Sequence, residues 1–134
     1  MVLLWLASLK PRTIDRVIVG ADRIAMNGDF ANKIGTYGVA ILAKYHNIPF
    51  HIAAPQSTID FKCKKGDDIQ IEYRDESEVR GFRNIVWTPK KSRHIYNPSF
   101  DVTPRELVTS YILDCGVVSK EKIVKKLHLI SHTA

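Results

Sequence analysis

Apolar and polar positions change spacing several times along this chain, and each change predicts an element. Val17, Ile18 and Val19 are consecutive and β-branched, which predicts a strand buried on both faces, ended by Gly20. From Ile34 the spacing becomes helical: Ile34, Tyr37, Gly38, Ile41, Leu42 and Tyr45 recur at three- and four-residue intervals. Val39, Ala40 and Ala43 extend the apolar surface, so a helix over 33–46 is expected to be covered on most sides. Asn47 can end it, and Pro49 prevents its continuation. Residues 50–54 (FHIAA) read as the next strand, parallel to the first through a right-handed crossover. Strand, helix and parallel strand in this order make the chain α/β.

Further along, residues 69–73 (IQIEY) alternate with period two and predict a strand with one wet face. Residues 74–80 are charged and predict a loop with a helical turn. Asn97-Pro98 breaks structure before Phe100. Thr103-Pro104-Arg105-Glu106 has the form of a capping box with Pro at the first helical position, predicting a helix to about Leu113 that Gly116 ends. A last helix is expected from Lys120 to about Leu127, with Ile123, Val124 and Leu127 on one side. Residues 3–9 read as the end of a helix packed on the sheet. No internal repeat, low-complexity stretch or linker divides the chain, so residues 1–134 form one domain.

Candidate chemistry gathers behind the first strand. Asp22 leaves the sheet at the carboxyl end of a parallel strand, where such sheets bind ligands. Residues 27–29 predict a turn, and Asn32 and Lys33 then open the helix, whose free N–H groups and positive dipole favour an anion such as phosphate. Carboxylate and ammonium would face one crevice. Each residue also has a plainer use: an Asp after a strand can be a turn former, Asn a helix cap, and Lys a solvated charge. Gly35 and Gly38 lack the spacing of a dinucleotide fingerprint, which disfavours NAD.

Composition narrows the classes. The chain has 134 residues, 45% of them hydrophobic and 25% charged, ordinary values for a globular protein with a real core. Its two cysteines, Cys63 and Cys115, set no disulfide framework, and no Cys/His cluster has zinc spacing; the five histidines lack it too. Cys63 lies in Lys-Cys-Lys-Lys, where positive neighbours favour the thiolate, and reads as a reactive surface thiol rather than a catalytic one; Cys115 reads as buried. The apolar start at residues 2–7 is far below the roughly 20 residues of a membrane span and lacks the basic flank of a secretory signal. No membrane partner is expected, and a reducing, cytoplasmic location is the default. The net charge of +6 is spread over basic clusters with no RNA-binding aromatic motif among them, so nucleic acid is not expected either.

Four stretches carry a specific resemblance: GADRIAMNGDFANKIGTYGVAILAKYHNIPF, AAPQSTID, IEYRDESEV and YNPSFDVTPRELVT. From Asp15 to about Ser119 the chain resembles the carboxyl-terminal part of the methylthioribose-1-phosphate isomerases. Ribose-1,5-bisphosphate isomerases and the regulatory subunits of translation initiation factor 2B share the NKIGT core but fit less well around GADRI and NPSFDVTP. The resemblance implies a Rossmann-like parallel sheet, present here as the carboxyl-terminal portion of a larger domain, with the amino-terminal domain absent. It implies that Asp22 is catalytic and that Asn32 and Lys33 hold a phosphorylated sugar, with no metal and no organic cofactor. The family's second catalytic residue, a Cys in a T-x-C-N-like motif, and its Arg-Gly-Ala phosphate segment do not occur in this sequence.

The implied reaction converts 5-methylthioribose 1-phosphate to 5-methylthioribulose 1-phosphate in methionine salvage. Asp22, in a dry pocket, would protonate the ring oxygen and later move a hydroxyl proton, while the missing Cys would act at C2. Asp101, in the FDVTP segment, is placed no closer than behind the residues that touch substrate. The alternative is a non-catalytic regulatory or assembly module like the initiation-factor subunits. Open sheet edges and the apolar faces at 2–9 and 33–46 point to a homodimer or to a missing amino-terminal portion as partner.

Overall fold

The computed structural model describes residues 14–82, 85–86, 88 and 94–132. Its main sheet has four strands, β1 (Val17–Val19), β4 (Phe50–Ala53), β8 (Ser110–Leu113) and β9 (Gly116–Ser119), adjacent in that order. The expected βαβ unit is present: β1 (Val17–Val19) pairs in parallel with β4 (Phe50–Ala53), and the helix α1 (Thr36–Tyr45) lies between them in sequence. Asn47 ends α1 as expected, in the left-handed region with φ 56°, while the N–H of Ile48 reaches back to the Ala43 carbonyl at 2.8 Å. β1 departs from expectation. Among the described residues it is an edge strand, and Ile18 is 58% exposed while Val17 is buried, so the described residues cover only one face of β1.

The covered face of the main sheet carries Val17, Phe50, Ile52, Tyr111 and Leu113, and the core forms there with Ile24, Phe30, Val108, Ile123 and Leu127. Helix α1 approaches through Thr36, Ala40 and Ala43, whose small side chains allow close contact. Among the described residues nothing covers its other side, contrary to the expectation for 33–46. Ile34, Tyr37, Ile41 and Tyr45 are all exposed, and Tyr45 is 79% so.

Between β1 and α1 the chain builds a second sheet that the sequence pattern did not announce. β2 (Arg23–Ile24), β3 (Phe30–Lys33) and β7 (Phe100–Thr103) form an antiparallel sheet in that order. Asn32 and Lys33 therefore end a strand rather than open a helix, which starts only at Thr36. Residues 27–29 do form the turn between β2 and β3, closed by the Gly28 N–H on the Ala25 carbonyl at 2.9 Å.

The largest departure lies at 103–116. Where a capping box predicts a helix, Pro104 is extended, Arg105–Leu107 makes a single 3-10 turn, and Ser110–Leu113 is strand β8, parallel to β4. Long-range pairing overrides the local cap: the Thr109 N–H donates to the Phe50 carbonyl at 2.7 Å, and the Thr109 hydroxyl accepts from the Phe50 N–H at 3.0 Å. Gly116 ends no helix. With φ 105° it starts β9 (Gly116–Ser119), the antiparallel return of a hairpin.

Residues 69–73 do not form the expected strand. Ile69 is buried and Ile71 packs beside it, but among the described residues no ladder accompanies them, and a single bridge joins Tyr73 to Pro98. The helical turn expected within 74–80 is α2 (Ser77–Arg80), supported by Arg74–Glu78 and Arg80–Glu76 ion pairs at 2.9 and 2.7 Å. It leads into a short hairpin, β5 (Gly81–Phe82) and β6 (Ile85–Val86). The last helix, α3 (Ile123–Ser131), starts and ends a turn later than expected and buries Ile123, Leu127 and Ile130. The helix expected at residues 3–9 lies outside the described residues. No helix among those described is long and apolar enough to cross a membrane.

One carboxylate ties the two sheets together. Asp29 accepts from the Gly66 N–H at 3.0 Å, the Arg105 N–H at 2.9 Å and the Asn27 side-chain amide at 2.7 Å. Asp29→Ala should cost about 2–4 kcal/mol in a urea titration, since these are charge-assisted bonds, and Asp29→Asn should recover part of it. A loss below about 0.5 kcal/mol would show that the three N–H groups find other partners.

His51 on β4 should make stability depend on pH. Its ring sits in the sheet with Nδ1 2.8 Å from the Ser110 hydroxyl and Nε2 without a partner among the described residues. Burial, helped by the charge of Arg16, holds its pKa below the ordinary 6.5. The unfolded chain takes that proton near pH 6.5 and the folded chain resists it, so stability is full above about 6.5 and declines as pH falls below it. Urea midpoints between pH 7.5 and 5.5 should show this decline, and His51→Gln should flatten it.

Candidate functional site

Asp22 stands between the two sheets, beyond the carboxyl end of β1 and just before β2, with its N–H bonded to the Ala31 carbonyl at 2.9 Å. It lines a crevice of about 480 Å³ together with Arg23 and residues 57–62. Those residues follow β4, so the crevice lies where two parallel strands deliver their carboxyl ends, the usual ligand position in such a sheet. The sequence placed residues 55–60 on the same edge as Asp22, and of these the structure brings Ser57, Thr58, Ile59 and Asp60 into its crevice. Its polar groups are the Asp22 carboxylate, the hydroxyl-bearing Ser57 and Thr58, Lys62, and the Arg23–Asp60 ion pair at 3.0 Å. Asp22 itself is exposed, so the described residues do not supply the dry surroundings expected for it.

Asn32 and Lys33 are near neighbours of Asp22 in the sheet but do not line its crevice. Strand alternation turns Asn32 to the side of Phe30 and α1, and Lys33 to the other side, where it is exposed. A ligand held by both must lie across the end of β3. The link from β3 to α1 is a tight turn in which Gly35 has φ 105° and the Ile34 N–H bonds the Ser99 carbonyl at 3.1 Å.

The helix terminus proposed for an anion is already taken by a carboxylate. Asp101 on β7, paired in register with Asn32, accepts from the Gly35 N–H at 2.7 Å and from the Tyr37 N–H at 3.1 Å. Burial raises the pKa of Asp101, and the two N–H groups oppose that rise. Asp101 thus caps α1 across the sheet. It also removes the dipole argument for phosphate at this terminus.

Asn32 has a partner that the sequence reading missed. Its amide donates to the Thr36 hydroxyl at 3.0 Å, and that hydroxyl donates to the Lys33 carbonyl at 2.7 Å. The four-residue interval from Asn32 to Thr36 is the only trace of this in sequence, and it becomes meaningful once the helix is known to start at Thr36.

The two cysteines exchange their expected places. Cys63 is buried with Ala25, Ala31 and Ile69, and burial, then Asp60, pushes its thiol pKa up; its lysine neighbours point outward. Cys115 is exposed at the tip of the β8–β9 hairpin. Neither lines the Asp22 crevice.

Comparison with known proteins fits this arrangement. The methylthioribose-1-phosphate isomerase of Citrobacter koseri is 53% identical over 116 residues, covering 84% of this chain and 34% of its own length. That of Chloroflexus aurantiacus is 59% identical over 105 residues, 78% of this chain and 30% of its own. Among solved structures, the 5-methylthioribose 1-phosphate isomerase of Pyrococcus horikoshii OT3 superposes with a TM-score of 0.85 at 44% identity, covering 96% of this chain and 36% of that one. The translation initiation factor eIF-2B subunit delta from A. fulgidus does so with a TM-score of 0.80 at 40% identity, covering 95% and 36%. The chain therefore spans about a third of the length of the relatives it matches. The Initiation factor 2 subunit family matches residues 6–120, and with it the α/β fold finds its context: this chain belongs to that family.

Proposed function

We propose that the chain carries the Asp22 side of an aldose–ketose isomerase site acting on 5-methylthioribose 1-phosphate, as its relatives' names indicate. The observation that carries this reading is the position of Asp22, beside β3 and in one crevice with the loop after β4. In this reading Asp22 is the proton-transfer group. It protonates the ring oxygen of the sugar, so that the ring opens although the anomeric position bears phosphate, and it then moves a hydroxyl proton. Asn32 and Lys33 hold the sugar phosphate across the end of β3, with the Lys33 ammonium as counter-charge. The second proton-transfer group comes from outside these 134 residues, since the sequence contains no T-x-C-N motif. Such a reaction places the protein in methionine salvage and in the cytoplasm, with no nucleic-acid or membrane partner and no metal or organic cofactor.

Binding and turnover should therefore separate. Methylthioribose 1-phosphate added to the purified chain should give a measurable heat of binding but no ketose. Lys33→Ala should weaken binding at least fivefold by removing the cation. Asp22→Asn should leave binding within about twofold, and in a protein completed to its relatives' length it should abolish turnover. Ketose formation by the chain alone, at a rate near that of a complete relative, would show that a group within it replaces the missing one. Binding that persists unchanged in Lys33→Ala would remove Lys33 from the site.

A regulatory or assembly role is the second reading, favoured by the 40% identity to the A. fulgidus initiation-factor subunit. It predicts that the completed protein binds the sugar phosphate without converting it. Under either reading we propose self-association through the exposed apolar residues Ile34, Tyr37, Ile41 and Tyr45 of α1 and the turn before it. Light scattering at micromolar concentration should report a dimer or larger species, and a monodisperse monomer would refute it.

A further inference from the structure

The bonds around Thr36 fix which end of Asn32 can meet a ligand. The Thr36 oxygen lies 2.7 Å from the carbonyl oxygen of Lys33, and a carbonyl carries no proton, so the single hydroxyl proton of Thr36 must lie between them. That hydroxyl has no proton left for Asn32. The Asn32 atom 3.0 Å from it must be the donor, the amide nitrogen, and the orientation of the side chain follows from chemistry. Thr36 is 7% exposed, so water does not compete freely for these bonds. The Asn32 carbonyl oxygen is left over, and among the described residues no hydrogen bond reaches it.

We infer that Thr36 is a positioning residue that turns Asn32 so that its carbonyl oxygen faces the ligand, making Asn32 an acceptor for a hydroxyl and leaving the anion to Lys33. The inference rests on the proposed sugar-phosphate site and sharpens it. An outward carbonyl oxygen repels phosphate and attracts an O–H donor. The nearby helix terminus is filled by Asp101 and offers phosphate neither the Gly35 nor the Tyr37 N–H. The ligand class that matches this end of β3 is therefore a phosphorylated polyol, with a hydroxyl against Asn32 and its phosphate toward Lys33 across the strand end. A bare anion would use Lys33 alone.

The test compares Thr36→Val, which keeps shape and loses the hydroxyl, with Thr36→Ser, which keeps the hydroxyl. Calorimetry on the whole chain should show methylthioribose 1-phosphate binding weakened about fivefold in Thr36→Val and restored to within twofold in Thr36→Ser, one hydrogen bond's worth. Inorganic phosphate, read the same way, should bind all three proteins within twofold. Equal weakening of both probes in Thr36→Val, or none with either, overturns the inference. In the unliganded chain, the Asn32 side-chain amide should exchange slowly by NMR in the parent and in Thr36→Ser, and fast in Thr36→Val. If the parent binds no sugar phosphate, the proposed function falls, while an Asn32 amide unchanged in Thr36→Val refutes the orientation by itself.

Discussion

The Asp29 carboxylate is the point on which the two sheets depend. It ends the turn between β2 and β3, yet two of its three donors are backbone N–H groups from distant segments, Gly66 and Arg105. Backbone N–H groups in such packed loops lack ladder partners, and leaving them unpaired is costly, so a single ionised acceptor settles several at once. The space around it is correspondingly tight. A Cβ at Gly66 would lie 2.7 Å from Val102 and 2.9 Å from an Asp29 carboxylate oxygen, so this position tolerates only glycine without local movement. On the other side of the turn the buried Tyr111 hydroxyl donates to the Gly28 carbonyl, joining the turn to the middle of the main sheet. Burial pushes the Tyr111 pKa upward, which keeps that proton in place.

From this anchor the geometry of the candidate site follows. With the 27–29 turn fixed against Tyr111 and Arg105, β3 has one direction available. Its end brings Asn32 and Lys33 beside β7, where Asp101 can reach across to the start of α1. The site thus stands on a short antiparallel sheet inserted between β1 and α1 of the parallel one. That insertion separates Asp22 from Lys33, and it converts what would be a phosphate-binding helix terminus into one capped from within the protein.

The parts of the fold legible in sequence were those set by local pattern. Val17 to Val19, the small and apolar residues of α1, Asn47 with Pro49, and the strand at Phe50 each carry their own signal, and the βαβ unit follows. Asp22 was legible for the same reason: a polar residue just past a parallel strand has one place to go. The residues at 103–113 misled because a capping box describes only the first turn of a helix. Here Thr109 and Tyr111 had partners some sixty to eighty residues away, at Phe50 and Gly28, and those bonds outweighed the local preference. Cys63 misled in another way. Flanking lysines show the charge around a position but not which way its side chain turns, and the thiol turned inward.

The sequence by itself determined the α/β class, the crossover from β1 to β4, and the identities of Asp22, Asn32 and Lys33 as candidates, because these depend on spacing within a dozen or so residues. Tertiary structure decided that Asn32 and Lys33 end a strand and that they face opposite sides of it. It also decided that Asp101 fills the helix terminus and that Thr36 holds the Asn32 amide. The Asp101 cap rests on pairing between β3 and β7, about seventy residues apart in the chain. Pairing at that separation is chosen by which packed arrangement satisfies the most buried polar groups together, a property of the whole fold and not of any stretch of it.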